Sequence, residues 1–517
     1  MRYKSRLLVS LIAVSLALAG CGGGGGQRSP SGNTSGGALD RSAELRLATN
    51  AFGTSFDPHL SRNFATDVPW DFPIYDRLLS FADNKLEPML AESWELADDR
   101  RTLTMKLRSG VTFHDGTPFD AEAVAANITR GKELDGSTVA RVFALIDSVQ
   151  TPDAGTVVFN LNGDGSLLPY SLADIPGAMI SPAAFDGNVA QQPVGAGPYK
   201  LVSSTSDSAT YERFDGYWAP DRAKVAKITY RSIPDDNARF NALRTGQLDV
   251  MQLPATIFQQ AQELETRGQA KIERALGSAV IGILLNTKHP QLSDERVRRA
   301  LNLAVNREAI NDGLMEGECV PALQPFTAAS VGNDPALDSQ IRYDQAEARR
   351  LLAEAGVTNL VLRTNVVGVS PYTEIAQAVQ AQLAEVGITL ELTNVPGGEA
   401  RAEWRKGGWD AFSALITAGV DPALTLSTSY LATDAVGGPA SPELTALVDE
   451  SAQFAIGSPE RASAMQKISG HLTGSPTHIM VCAPQFGWLT GTNVQVEPGA
   501  FYSYSYIFDP TRLGITS

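Results

Sequence analysis

The sequence predicts an α/β protein of two or three lobes. Two observations carry this. Apolar residues alternate along short segments and recur every three to four residues along longer ones, and the two patterns follow each other with glycine and proline between them. The roughly 480 residues beyond an N-terminal export segment are also enough to bury more than one large core.

In chain order, the first clear strand is carried by Leu103, Met105 and Leu107, which alternate with polar neighbours as in a half-buried strand. Gly110 and the run His114-Asp115-Gly116-Thr117-Pro118 mark turns, and Asp120 stands where an N-cap is needed for the Ala-rich helix that follows. Ser293 is expected to cap a second helix, in which Val297, Ala300, Leu301, Ala304 and Val305 recur at i, i+3, i+4, i+7 and i+8. Arg296, Arg298 and Arg299 are expected on its solvated face. Asp344 with Glu347 resembles a capping box; Leu351 and Leu352 face inward, and Gly356 stops that helix before a strand that includes Val361. Pro371 opens a helix carrying Ile375, Val379, Leu383 and Val386, Gly387 ends it, and Ile388, Leu390 and Leu392 alternate as a strand. This is a β-α-β unit and predicts a locally parallel sheet covered on both faces.

The N-terminus reads as an address. Arg2, Lys4 and Arg6 precede an apolar run, residues 7–19, shorter than the roughly 20 residues needed to span a bilayer. Residues 1–20 are therefore predicted to be a signal peptide. Leu18-Ala19-Gly20-Cys21 reads as a lipoprotein processing site, with Cys21 as the lipidated mature N-terminus. Residues 21–37, rich in Gly and Ser, read as a flexible tether. The expected location is the extracytoplasmic face of the cell membrane, in the periplasm or cell-wall zone.

The net charge of −15 is spread along the chain, and no basic patch interleaves with aromatics, which argues against nucleic acid as a partner. No segment beyond the signal has 18 consecutive apolar residues. Besides Cys21 only Cys319 and Cys482 are present; an exported compartment permits a disulfide, and two buried thiols are the alternative. The chain lacks GxxxxGK[ST], HExxH, GxSxG and CxxC. His471 and His478 have Gly474 and Pro476 between them, which rules against one helix presenting both to a metal. No metal and no cofactor is predicted. Asp98-Asp99 and Asp235-Asp236 read as turn or capping residues. Trp404, Trp409, Phe412, Tyr430, Phe486 and Trp488 crowd the last third near Gly and Asp-Pro, as cleft walls or as core.

Several blocks then resemble one family. Tyr75-Asp76-Arg77-Leu78-Leu79, residues 88–95 (PMLAESWE) and residues 107–119 (LRSGVTFHDGTPF) are similar to the signature block of family 5 extracytoplasmic solute-binding proteins. Residues 195–201 (GAGPYKL), 241–249 (NALRTGQLD), Asn286-Thr287, 294–310 and 343–348 continue the resemblance in order. Such proteins serve ABC importers of oligopeptides, dipeptides, nickel chelates and some saccharides. The resemblance implies a periplasmic-binding-protein-like, type II-like fold of two α/β lobes, with an extra domain inserted in the first. Matched blocks place lobe 1 at residues 38–73, 189–283 and 488–517, the inserted domain at 74–188, and lobe 2 at 284–487.

By the same resemblance the chain is a non-enzymatic, monomeric, lipid-anchored receptor. It captures an oligopeptide-like solute by hinge closure and delivers it to a permease driven by cytoplasmic ATPases. The implied ligand contacts are Phe52, Gly53 and Thr54, then Trp404 and Trp409, then Ala418, Gly419, Val420 and Asp421, then Phe486 and Trp488. In peptide-binding relatives an aspartate ahead of an Asp-Pro-like pair holds the peptide ammonium. Here Ala418 takes that place in the stretch 416–422 (ITAGVDP), so the ammonium needs Asp421 or Asp410, and Asp421 equally reads as a turn former before Pro422. Rival readings are a receptor for an oligosaccharide, a metal chelate or haem, or a cell-surface hydrolase or adhesin on the same fold.

Overall fold

The computed structural model describes residues 37–53, 55–61, 64–82, 85–337, 342–368, 370–416, 422–431, 440–501 and 508–517. The predicted signal peptide, Cys21 and the tether up to residue 36 lie outside these. Among the described residues no helix is long and apolar enough to cross a membrane.

One strand, His478–Gly491, organises the molecule. Its first half pairs antiparallel with Val280–Leu285, placing Cys482 opposite Ile281 and His478 opposite Leu284. Its second half pairs with Val250–Leu253 and with Ala270–Leu276. Two α/β lobes thereby share one continuous 12-stranded sheet. Val280–Leu285 is buried at all six positions, as its unbroken apolar sequence requires.

In the first lobe, Glu44–Thr49 lies between Lys227–Ser232 and Val250–Leu253, parallel to both. Ser208–Arg213 and Tyr199–Ser204 extend that side antiparallel. In the second lobe, Leu360–Val367 is parallel to Ile388–Val395 and to Ala411–Ile416. The helix Tyr372–Ala384 joins the first two of these strands and buries Ile375, Val379 and Leu383, the β-α-β unit expected from the periodicity. A separate four-stranded antiparallel sheet, ordered Ala91–Leu96, Thr102–Leu107, Thr156–Leu161, Ile146–Asp153, carries the helix Ala121–Glu133. Asp120 caps that helix by accepting from the Ala123 amide, and Leu103 and Met105 are buried beneath it.

Three expectations change. The helix expected to start at Ser293 is Glu295–Leu303, capped by Asp294. Arg298 is 8% exposed rather than solvated. Its planar fork donates to the carbonyls of Pro476, Leu292 and Ser293, saturating chain ends that would otherwise be buried unpaired. The strand pairing also changes sides in residues 277–279, ahead of the expected boundary at 283/284, because Val280–Leu285 is one uninterrupted strand paired with Ala411–Ile416 of the second lobe. On the shared strand the change falls between Cys482 and Gln485.

Cys319 and Cys482 form a disulfide, with Cα atoms 5.3 Å apart and a sequence separation of 163. It ties Cys319–Pro321 to the shared strand, where Cys319 is paired with Pro484 and Pro321 with Cys482. Replacing both cysteines by alanine is expected to cost about 2–5 kcal/mol of stability, because a long loop in the unfolded chain is released. Chemical denaturation checks this: dithiothreitol should destabilise the native protein and leave the variant unchanged.

His478, at the start of the shared strand, is buried, and burial with the nearby Arg401 charge pushes its pKa down to about 3. The folded state therefore holds it neutral, whereas the unfolded chain takes up the proton near pH 6.5. Its contribution is complete above pH 6.5 and is lost as pH falls from there toward 3, by about 1.4 kcal/mol per pH unit. In His478→Gln, the loss of stability between pH 6.5 and pH 5 is expected to shrink by about 2 kcal/mol, read by urea titration at each pH.

Candidate functional site

The three parallel strands of the first lobe point the same way, so the chain leaves them along one edge of the sheet. Asn50 follows Glu44–Thr49, Pro234 and Asp236 follow Lys227–Ser232, and Gln252 and Pro254 lie at the end of Val250–Leu253. The crevice outside the carboxyl ends of strands is where open α/β sheets take ligands, since backbone groups and helix starts converge there.

A buried arginine sets this floor. Arg239, 0% exposed, donates from Nε to the Gln252 carbonyl (3.2 Å), from Nη1 to the Ile233 carbonyl (2.5 Å) and from Nη2 to Asp236 Oδ1 (2.6 Å). It thus stitches the turn before the helix Asp236–Arg244 to the neighbouring strand. Asp235 caps that helix through the Ala238 amide, and Thr256 Oγ1 donates to Asp236 Oδ2 at 2.9 Å. The Asn50 amide donates to Gln252 Oε1 at 3.2 Å, joining two strand ends.

The facing wall belongs to the second lobe. Leu314 and Met315 close the end of the helix Arg307–Leu314, and Ser370, Pro371 and Glu374 stand at the start of Tyr372–Ala384. Between floor and wall lies a cavity of about 320 Å³, near the lower end of small-ligand sites. Nearby, the Gln259 amide donates to Glu316 Oε2 at 3.2 Å, a hydrogen bond from one lobe to the other. Among the described residues the lining holds two carboxylates, two side-chain amides and three prolines, with no Lys, Arg or His. Asp236 is engaged by Arg239 and Thr256; Glu374 Oε2 is buried with no hydrogen-bond partner. Among the described residues no three His, Cys, Asp or Glu side chains gather as metal ligands.

The residues expected from sequence are distributed unevenly. Phe52 and Gly53 are half-buried on the segment just past Asn50, with the Phe52 ring 3.7 Å from Trp70 and 6.3 Å from Phe56. Trp404 and Trp488 are corrected from cleft-facing to core positions. Trp404 is 5% exposed and stacks on Phe412 at 5.8 Å; Trp488 is 1% exposed, stacked on Phe501 at 5.5 Å and packed at 4.2 Å on Phe508. Large flat rings gain most where both faces are covered. Trp409 is half-buried against the second-lobe core, and its carbonyl accepts from Asn286 Nδ2. Phe486 is described through its backbone alone, paired with Ala275. Thr54, Ala418, Gly419, Val420 and Asp421 lie outside the described residues.

Asp410 is not a free carboxylate. It accepts from the Arg363 amide, Nε and Nη2, at 2.9, 3.0 and 3.1 Å. Burial opposes its charge, and these hydrogen bonds outweigh burial, holding its pKa below the usual range. The residues that do line the cavity were missed because single side chains at strand ends carry no periodic signal. The prolines at 234, 254 and 371, each just past an apolar strand, were the available hint.

Two α/β lobes sharing a strand, with a cavity between them, are the architecture of extracytoplasmic solute-binding proteins, which are receptors and not enzymes. The chain belongs to the family of bacterial extracellular solute-binding proteins, family 5, whose middle-region profile matches residues 85–438. It is 32% identical over 372 residues to the glutathione-binding protein GsiB of Pectobacterium atrosepticum, covering 69% of this chain and 70% of that protein. It is 33% identical over 330 residues to GsiB of Escherichia coli K12, covering 62% of this chain and 63% of that protein. The fold matches the periplasmic binding protein DppA of Helicobacter pylori, solved with the peptide STSA, at a TM-score of 0.81 and 22% identity over 92% of this chain and 98% of that one. The family serves ABC importers.

Replacing Arg239 by methionine is expected to leave the carbonyls of Ile233 and Gln252 without their guanidinium donor, and the part-exposed Asp236 held by Thr256, and to cost about 1–3 kcal/mol, measured by urea denaturation.

Proposed function

We propose that this chain is the lipid-anchored receptor of an ABC importer and that it captures a short peptide-like solute between its lobes for delivery to the permease. The observation that carries the reading is the 320 Å³ cavity at the strand ends, whose amides and carboxylates match the donors and acceptors of a peptide backbone and whose size suits a molecule of two or three residues. The relatives named as glutathione-binding proteins, glutathione being a tripeptide, support the same class.

Closure follows from the connections. Two short crossings, residues 277–279 and the stretch between Cys482 and Gln485, join otherwise separate cores. A solute touching both the Asn50–Gln252 floor and the Glu374 wall lowers the free energy of the closed state only. Phe52 and Gly53 sit beside the floor as further contacts, and Thr54, Trp409, Phe486 and residues 418–421 complete the proposed set. Cys21 behind its signal and the glycine-rich tether supply the anchor, holding a monomeric receptor near its permease at high effective concentration.

Native mass spectrometry of the protein purified from its own host tests the ligand class. Retained di- or tripeptides are the expected result; a glycan, a metal chelate or haem as the sole bound species would overturn it. In the same host, Cys21→Ala is expected to move the protein from the membrane to the soluble fraction.

A further inference from the structure

Among the described residues two that are not glycine carry a positive φ, Arg100 at 58° and Glu316 at 52°, and both reach from one lobe to another. Left-handed backbone is costly for any residue with a Cβ. Arg100 closes the tight turn between Ala91–Leu96 and Thr102–Leu107, its amide donating to the Ala97 carbonyl, at the fourth turn position, where glycine is favoured. Glu316 follows Met315, the C-cap of the helix Arg307–Leu314, at the place where helices commonly end in glycine. Each turn therefore bears strain that a glycine would remove, and each carries a long charged side chain instead.

Both side chains finish a helix end that belongs to another lobe. Arg100, on the separate four-stranded sheet, donates from Nη1 to the Ala452 carbonyl and from Nη2 to the Gln453 carbonyl (3.0 Å), while Asp164 Oδ2 accepts from Nη1 at 3.1 Å and steadies the fork. Those carbonyls end the helix Pro442–Ala452, which is anchored by Leu444 in the second-lobe core and has no basic residue in its last turn. Glu316, on the second lobe, accepts from the Gln259 amide at 3.2 Å in the first turn of Phe258–Thr266, a first-lobe helix with no side-chain cap and no acidic residue in that turn. A cation at the negative end of one helix and an anion at the positive end of the other supply what each helix lacks. We infer that Arg100 and Glu316 are clasps that hold the lobes closed and so set the affinity for a solute whose cavity neither of them lines. The strain is present whether the lobes are apart or together, whereas the helix ends are met only when they are together, so the gain falls on the closed state alone. This rests on the proposed function only for the closing of the lobes, and not for the identity of the solute.

Pulsed electron resonance on the whole protein from its own host tests the clasps, with nitroxides on Asp147→Cys of the separate sheet and Glu460→Cys of the second lobe, both exposed positions. Distances are read on the protein as isolated with its retained solute, after dialysis, and after dialysis with excess glutathione. Arg100→Gly and Glu316→Gly are each expected to lower the closed fraction and to release the retained solute about threefold faster, through the loss of one contact between a charge and a helix end. Both put glycine where the backbone already suits it, so both are expected to fold, which circular dichroism checks. Arg100→Lys, which keeps the charge and loses the two-pronged fork, should fall between Arg100→Gly and the native protein. Variants as closed and as retentive as the native protein would overturn the clasps and leave the peptide reading intact. A native protein with no closed distance in any sample would overturn the clasps together with closure itself. A smaller closed fraction in the glycine variants, with a glycan or chelate as the retained solute, would uphold the clasps and overturn the peptide reading.

Discussion

The strand His478–Gly491 is the constraint on which the rest of the molecule depends, because one backbone ladder must pair with strands of both lobes. Its register is set by unlike neighbours: a fully apolar strand on the second-lobe side and two strands of the first lobe on the other. A slip by one residue would turn every side chain to the wrong face in both lobes at once. The disulfide to Cys319 holds the strand where its partners change, and Pro484, which has no amide hydrogen to donate, falls in the same stretch. The stretch where the partners change is itself paired with Cys319–Pro321, so the two cores meet on a continuously hydrogen-bonded strand.

Buried arginines do the finishing around that frame. Arg239 and Arg298 each spend their guanidinium on carbonyls at the ends of strands and helices, and Arg307 does the same for Ala322, Met480, Asn302 and Val305. Burial lowers the pKa of Arg307 to about 10, so the cation persists at neutral pH. Carbonyl groups at chain ends accept, and five donors in one plane reach several of them at once. The cavity inherits its shape from this: with Arg239 beneath the floor, the loops above it are held and their positive charge is already used.

Much of this was legible as pattern. The β-α-β unit through Pro371 and Gly387, the caps at Asp120 and Asp344, and the ordered family blocks all rest on neighbours close in sequence, where spacing reports the local structure directly. The failures share a cause as well. Arg298 reads as solvated from its helix, and beside its local partners Leu292 and Ser293 it donates to Pro476, 178 residues away, a contact that no local pattern announces. Trp404 and Trp488, which their surroundings leave open between cleft and core and the family resemblance makes ligand contacts, are covered by Phe412, Phe501 and Phe508.

The sequence by itself determined the class of fold and membership in a receptor family, because hydrophobic period and ordered motifs are properties of the chain. Only the tertiary structure decided where the lobes exchange strands, that Cys319 and Cys482 are joined, that Asp410 is paired with Arg363, and that Glu374 faces Asn50 and Gln252 across a cavity. Each of these depends on groups brought together from distant parts of the chain, and their meeting is settled by packing and by the pairing of buried polar groups rather than by any local propensity.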